Sequence, residues 1–188
     1  MFEYLRSDLQ RLCHSDQASL WQCLWRIVTA PGLHATAVYR LGRWLKKAQT
    51  EPITLILAML LWPMYLVLSL LVRKCYGIHL SLSAEIGPGL SIGHVGGIVV
   101  RNCRLGGHCT VNQQVWIMPA VGEQRGPVIA DRVWIGAHAR IVGNHCIGEG
   151  ATIGGAAEVR GNVEPGCLML GSPARVVQQR FDNSTILN

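Results

Sequence analysis

The 188-residue sequence predicts a mainly β protein, a hexapeptide-repeat solenoid preceded by an N-terminal α-helical region. Three observations predict it. Apolar residues recur every six positions from Leu80 to Val159. Glycine follows many of them: Gly87, Gly93, Gly106, Gly136, Gly148 and Gly154. Ahead of this stretch the apolar residues fall at helical spacing instead.

The repeat runs Leu80, Ile86, Ile92, Ile98, Leu105, Val111, Ile117, then Ile129, Ile135, Ile141, Ile147, Ile153, Val159. Only the step from Ile98 to Leu105 is one residue long of the period, apart from the loop before Ile129. Six residues overshoot a helical turn, so such a row would wander around an α-helix. Six is a multiple of two, so residues i−2 and i share one side of a short strand. A second small or apolar row fills the i−2 places: Ala84, Leu90, Cys109, Val115, Val133, Ala139, Ala151 and Ala157. The glycines, with Asn, Asp and His, suit corners that need positive φ or close backbone approach. Stacked coils of this kind bury their faces on one another.

Residues 1–49 read as helices. Phe2, Leu5, Leu9 and Leu12 share a face, and Leu20, Trp21, Leu24 and Ile27 continue the pattern over 17–29. Pro31 suits a helix start, with Leu33, Ala37, Leu41, Trp44 and Leu45 on one side. Residues 52–72 carry no charge, and Arg40, Arg43, Lys46, Lys47, Arg73 and Lys74 flank them. The length allows a membrane span, but Pro63 should split the segment and the two basic flanks give no orientation signal. The expectation is two short helices that lie in a membrane surface or pack between subunits. Three parts follow: a helical region 1–76, a repeat domain 77–176 and a polar, frayed tail 177–188.

The hexads, opened by "SAEIGPGLSIGHVGGIVV" and closed by "GSPARVV", resemble the left-handed β-helix acyltransferases, within them the serine acetyltransferase and exopolysaccharide O-acetyltransferase group. "PGLHATAVYRLGRWL" is similar to the helical region of the serine acetyltransferases. The resemblance implies a left-handed parallel β-helix, a homotrimer or a multiple of trimers, and acetyl-CoA as cosubstrate.

It also implies site residues. His94 matches the general base, a neutral imidazole that deprotonates an acceptor hydroxyl as it attacks the thioester. His79 falls where the family has the aspartate that orients this base; it could serve only while neutral. Gly93 replaces an acid that reads the serine ammonium, and in the loop motif Arg125 persists while Gly126 replaces a histidine. Asp16 matches a helical-region aspartate, although Gln17 replaces the following proline. Ala137, Gly155 and Arg175 are the matched coenzyme contacts. The loop 118–127 should shape the cleft, with Trp116 and Trp134 nearby as an apolar platform or as packing groups.

Losing an acid and a histidine to Gly93 and Gly126 removes groups that pair a zwitterion and should widen the cleft. That favours a sugar hydroxyl of an exopolysaccharide unit as acceptor, with free serine as the alternative and a non-catalytic scaffold as a third possibility. His138 and His145 stand seven apart, the wrong spacing for the zinc-binding members of this fold, so no metal is expected.

Composition bounds the setting. Hydrophobic residues make up 49% and charged ones 15%, with mean hydropathy +0.26, so another subunit or lipid should cover part of the surface. The net charge of +6 suits CoA phosphates or an anionic membrane and is too diffuse for nucleic acid. Seven cysteines without a CxxC pair, and no signal-like opening, predict a reducing compartment: cytoplasmic, at the inner face of the membrane.

Overall fold

A computed structural model describes residues 2–13, 25, 28–48 and 52–187. The repeat folds as a parallel β-solenoid of five coils. One sheet stacks β1 (Ile78–Leu80), β4 (Ile98–Val100), β7 (Trp116–Met118), β10 (Arg140–Val142) and β13 (Glu158–Val159). A second stacks β2 (Glu85–Ile86), β5 (Arg104–Leu105), β8 (Val128–Ile129) and β11 (Cys146–Ile147). The third stacks β3 (Ser91–Ile92), β6 (Thr110–Val111), β9 (Trp134–Ile135), β12 (Thr152–Ile153) and β14 (Leu168–Leu170). The antiparallel strand β15 (Arg175–Gln178) closes its end.

Both apolar rows point inward. Ile98, Ile117, Ile135, Ile141 and Ile153 are fully buried, as are Ala139, Ala151 and Ala157 between them. Like residues sit over like, Ile92 on Val111 on Ile135 on Ile153, so each coil presents the next with the same shape. Leu80 and Ile92, in the first coil, are only half-buried, because helices rather than another coil cover them.

Helices α1 (Phe2–Cys13) and α2 (Pro31–Ala48) pack on that first coil. The anchor is polar. Asp8, its side chain 1% exposed, pairs with Arg40 at 3.3 Å and accepts the Leu90 N–H at 3.0 Å. Arg40 also donates to the carbonyls of Ile86 and Gly87, with the rings of Tyr4 and Tyr39 beside it. Tyr39 donates its hydroxyl to Ala84 O at 2.7 Å.

Two expectations change here. Pro63 does not split the apolar segment: α3 runs unbroken over Pro52–Leu71, then ends in a π-helical turn, Val72–Tyr76, capped by left-handed Gly77 (φ 63°). Pro63 is exposed, so its ring stays clear of α2, and the single hydrogen bond it removes is not enough to end a helix packed along its other face. Nor is the tail frayed. Phe181 N–H donates to Gly166 O, the buried Asn183 amide donates to Arg132 O and Gly150 O, and Leu187 O accepts from Arg11. The helix expected over 17–29 and the candidate Asp16 lie mostly and wholly, respectively, outside the described residues.

Candidate active site

The register of the third sheet fixes one corner of the solenoid. Beyond the stacked Ile92, Val111, Ile135 and Ile153 come Gly93, Asn112, Gly136 and Gly154, then His94, Gln113, Ala137 and Gly155. Each of these turns takes six residues from one inward position to the next, so the residues stand in matching rungs. Thus three of the candidates, His94, Ala137 and Gly155, share one edge. Three coils at roughly 4.8 Å each put about 14 Å between the rungs of His94 and Gly155.

The rung that holds His94 departs from the others. In the later coils the corner is closed by His138 N–H to Gln113 O and by Ala156 N–H to Ala137 O. The matching acceptor for Gln114 N–H would be His94 O, yet the bond goes to Gly96 O at 2.7 Å. Gly96 and Gly97, at φ 107° and 66°, allow that detour. His94 and Val95 are thereby lifted off the ladder into solvent, and the backbone N–H groups of Val95 and Gly96 donate to nothing among the described residues.

His94 opens into a cavity of about 570 Å³, walled by Gly93, Ser91, Gly32, Leu33, Asp8 and Arg11. Gly32 has to be glycine: a Cβ there would come within 2.9 Å of Ile92 O. The Asp8 carboxylate is already engaged by Arg40 and Leu90. Asn112, which the sequence did not single out, holds its Nδ2 on Ile135 O at 2.9 Å. Its Oδ1 lies 2.6 Å from where a Cβ on Gly93 would stand. The position vacated by an acid therefore has an amide oxygen beside it. A larger cavity of about 780 Å³ lies against α2 and the second sheet. Its carboxylates are committed, Glu85 to Arg104 and Asp131 to the Gly107 N–H, and it offers no base.

His79 stands mid-strand on β1 and lines a separate cavity of about 300 Å³ with Tyr65 and Arg73. Burial, then the cations Arg73 and Arg101, push its pKa down, so it is held neutral. No hydrogen bond joins it to His94 among the described residues. Arg125 is exposed in the loop after β7, by a different cavity that includes Ser83 and Asn144. Arg175 is exposed on β15 opposite Leu170, next along the edge from Gly154, with Nη1 on its neighbour Ala174 O at 3.2 Å.

One expectation about the acceptor pocket fails on geometry. Gly126 does not widen a cleft. It is buried, its N–H bonds Asn102 O at 2.8 Å, and a Cβ would come within 2.6 Å of that oxygen. Trp116 is 41% exposed, with the Arg140 guanidinium 5.0 Å from its ring centroid. Trp134 folds over its own corner: a Cβ on Gly136 would meet its ring at 2.9 Å. The buried thiols offer no nucleophile, since burial pushes Cys103 up to about 12 and Cys109 up to about 11.

No protein-family model matches the chain. Among curated proteins, a serine acetyltransferase of Synechococcus elongatus is 29% identical over 181 residues, 94% of this chain and 69% of that protein. A serine acetyltransferase of Helicobacter pylori is 30% identical over 179 residues, 92% of this chain and 96% of that protein. Among solved structures, soybean serine acetyltransferase complexed with serine superposes with a TM-score of 0.75 at 28% identity, over 93% of this chain and 68% of that one. These relatives overturn the expectation of an exopolysaccharide sugar as acceptor, which the buried Gly126 had already weakened. With 30% identity over nearly the whole of both chains, and with the same solenoid and helical region, the protein belongs to the serine acetyltransferase family of acyltransferases, whose cosubstrate is acetyl-CoA.

Proposed function

We propose that the protein is a serine O-acetyltransferase, transferring acetyl from acetyl-CoA to the hydroxyl of L-serine. The observation that carries this is His94, lifted by the Gly96–Gly97 detour into a cavity on the edge that also bears Ala137 and Gly155. That edge runs about 14 Å over three coils, with Gln113 between His94 and Ala137 and no bulky side chain at Ala137 or Gly155, so an extended pantetheine arm can lie against the backbone past Gln113. Arg175, farther along it, is available for a phosphate.

The reaction follows directly. Neutral His94 takes the serine hydroxyl proton as the oxygen attacks the thioester carbonyl, and a C–O bond forms. The resulting oxyanion needs donors, and the unpartnered N–H groups of Val95 and Gly96 are the nearest backbone candidates. Collapse breaks the C–S bond, and the departing CoA thiolate takes the proton back from the imidazolium. A neutral His79 has the lone pair to accept a bond from His94, although a side-chain movement would have to bring the two together. Asn112 Oδ1, 2.6 Å from where a Cβ on Gly93 would stand, is the acceptor this reading assigns to the serine ammonium in place of the acid missing at Gly93. Arg125 is assigned to the acceptor side by resemblance, as is Asp16.

The same reading expects a homotrimer or a multiple of one. His94 sits on an outward edge with its cleft open on one side, and Val95 (44% exposed) and Val121 (wholly exposed) lie uncovered. The free cysteines among the described residues, Cys75, Cys103, Cys109, Cys146 and Cys167, fit a reducing cytoplasm.

The test is acetyl transfer by the purified protein with L-serine and acetyl-CoA. O-acetylserine should form with a kcat/KM of about 10⁴ M⁻¹s⁻¹ or more. His94→Ala should lower kcat by roughly 10²–10⁴ and leave coenzyme affinity and melting temperature unchanged, because a base acts in the transition state. A variant that kept a tenth of the activity would remove His94 from that role. Thiol release without O-acetylserine would refute serine as acceptor.

A further inference from the structure

Helix α3 carries one packed face and one bare one. Ala58 and Tyr65 are buried against α2, with Leu61, Trp62 and Leu68 half-buried beside them. Gly42 makes room for the Tyr65 ring, since a Cβ there would come within 2.4 Å of it. Every exposed residue between 56 and 71 is apolar, including Ile56 (78% exposed), Met59, Leu60 (74%), Met64, Val67 and Leu70. This is no scattered surface hydrophobicity but a continuous stripe along a helix about 30 Å long.

The charges around it say what covers it. Lys46 and Lys47, exposed and lining the cavity beside the second sheet, close α2, where Thr54 of α3 bonds Ala48 O, and Arg73 and Lys74 follow the far end of α3. No acidic residue lies in α2, α3 or the π-helical turn, and Glu51 is the one acid in the sequence between residues 17 and 84. A second copy laid on this stripe, in either direction, would set a basic end against a basic end. An anionic surface would meet both ends favourably.

The helix is long and apolar enough to cross a bilayer, with a mean hydropathy of 2.5 over its most apolar window. Its packing forbids a crossing in this fold. α2 lies antiparallel along it with Arg40, Arg43, Lys46 and Lys47, and β1 begins directly after the turn. A transverse α3 would drag those charges and the open edge of the first coil into hydrocarbon.

We propose that the outer face of α3, flanked by Lys46 and by Arg73–Lys74, docks the protein on an anionic phospholipid bilayer, lying in the interface without crossing it. This does not depend on the acceptor of the acetyl group. The full-length protein would be sedimented with vesicles of phosphatidylcholine alone and of phosphatidylcholine with phosphatidylglycerol. Binding is expected to the mixed vesicles, weakened by salt. Lys46→Gln with Lys74→Gln should weaken it about tenfold or more. Leu60→Glu with Val67→Glu should abolish it and leave melting temperature and acetyl transfer in free solution unchanged, since both positions face outward. The proposal is overturned if the native protein ignores anionic vesicles, or if the Leu60→Glu, Val67→Glu variant binds them equally well. It is also overturned if that variant's only effect is to break up an assembly in vesicle-free buffer, which would make a second copy the partner. Protease cleavage of the N-terminal helices on the opposite side of the bilayer from the solenoid would instead show a span.

Discussion

His79 shows how placement decides what a side chain can do. The strand that carries it half-buries the imidazole, and Arg73 and Arg101 add positive charge, so its pKa lies below the 6.5 of a free histidine. As pH falls through about 6.5, the unfolded chain takes up the proton before the folded one does. The stability that the neutral ring contributes is therefore complete above that value and is lost as pH falls toward the lower folded pKa. Urea midpoints should drop as pH falls below about 6.5, and His79→Gln should flatten that slope. An unchanged slope in the variant would assign it to other groups. Gly126 makes the complementary point. Its missing side chain looks like lost substrate-reading equipment in the sequence, yet in the fold it is what lets the loop close against Asn102.

At the level of elements, the repeats were legible and their attachment was not. A six-residue period can be read because every coil must present the same inward shape to the next, and Ile129 to Val159 shows it without a break. The helices were legible only as apolar faces. Nothing in an amphipathic pattern marks Asp8 and Arg40, whose pair is created by the docking of two helices on the first coil. The same limit hid Asn112, which matters only because register places it beside Gly93. It also misjudged Pro63, since a proline on the outer face of a packed helix costs one bond and leaves the packing intact. The docking pair should be strong. Asp8→Ala would leave the Arg40 guanidinium, 5% exposed, without its counter-charge and Leu90 N–H without an acceptor. A loss of about 3–5 kcal/mol in urea unfolding is expected, with Asp8→Asn less costly because it keeps an acceptor for Leu90. A loss under about 1 kcal/mol would mean the pair behaves as a surface bridge.

Over the whole molecule, Arg11 joins three parts that are far apart in sequence. Its guanidinium donates to Gly89 O at 2.7 Å, to Cys109 O at 2.9 Å, to Thr110 Oγ1 at 2.8 Å and to Leu187 O. One side chain thus ties α1, the first two coils and the returning C-terminal segment together, and it does so in the wall of the His94 cavity. Asn183 holds the same segment against the later coils through Arg132 O and Gly150 O. The two contacts can be separated. Arg11→Ala should loosen α1 and residues 181–187 together, costing about 1.5–3 kcal/mol, the worth of a charge-assisted bond. Asn183→Ala should loosen only the tail. Hydrogen exchange would show the difference: α1 amides should exchange faster in the first variant and at the native rate in the second, with the coil strands protected in both. Because Arg11 also shapes the cavity, its loss should raise the acceptor KM with little change in kcat, the pattern of lost ground-state positioning. If α1 exchanged alike in both variants, Arg11 would be an ordinary surface contact and the site would owe its shape to the Asp8–Arg40 pair alone.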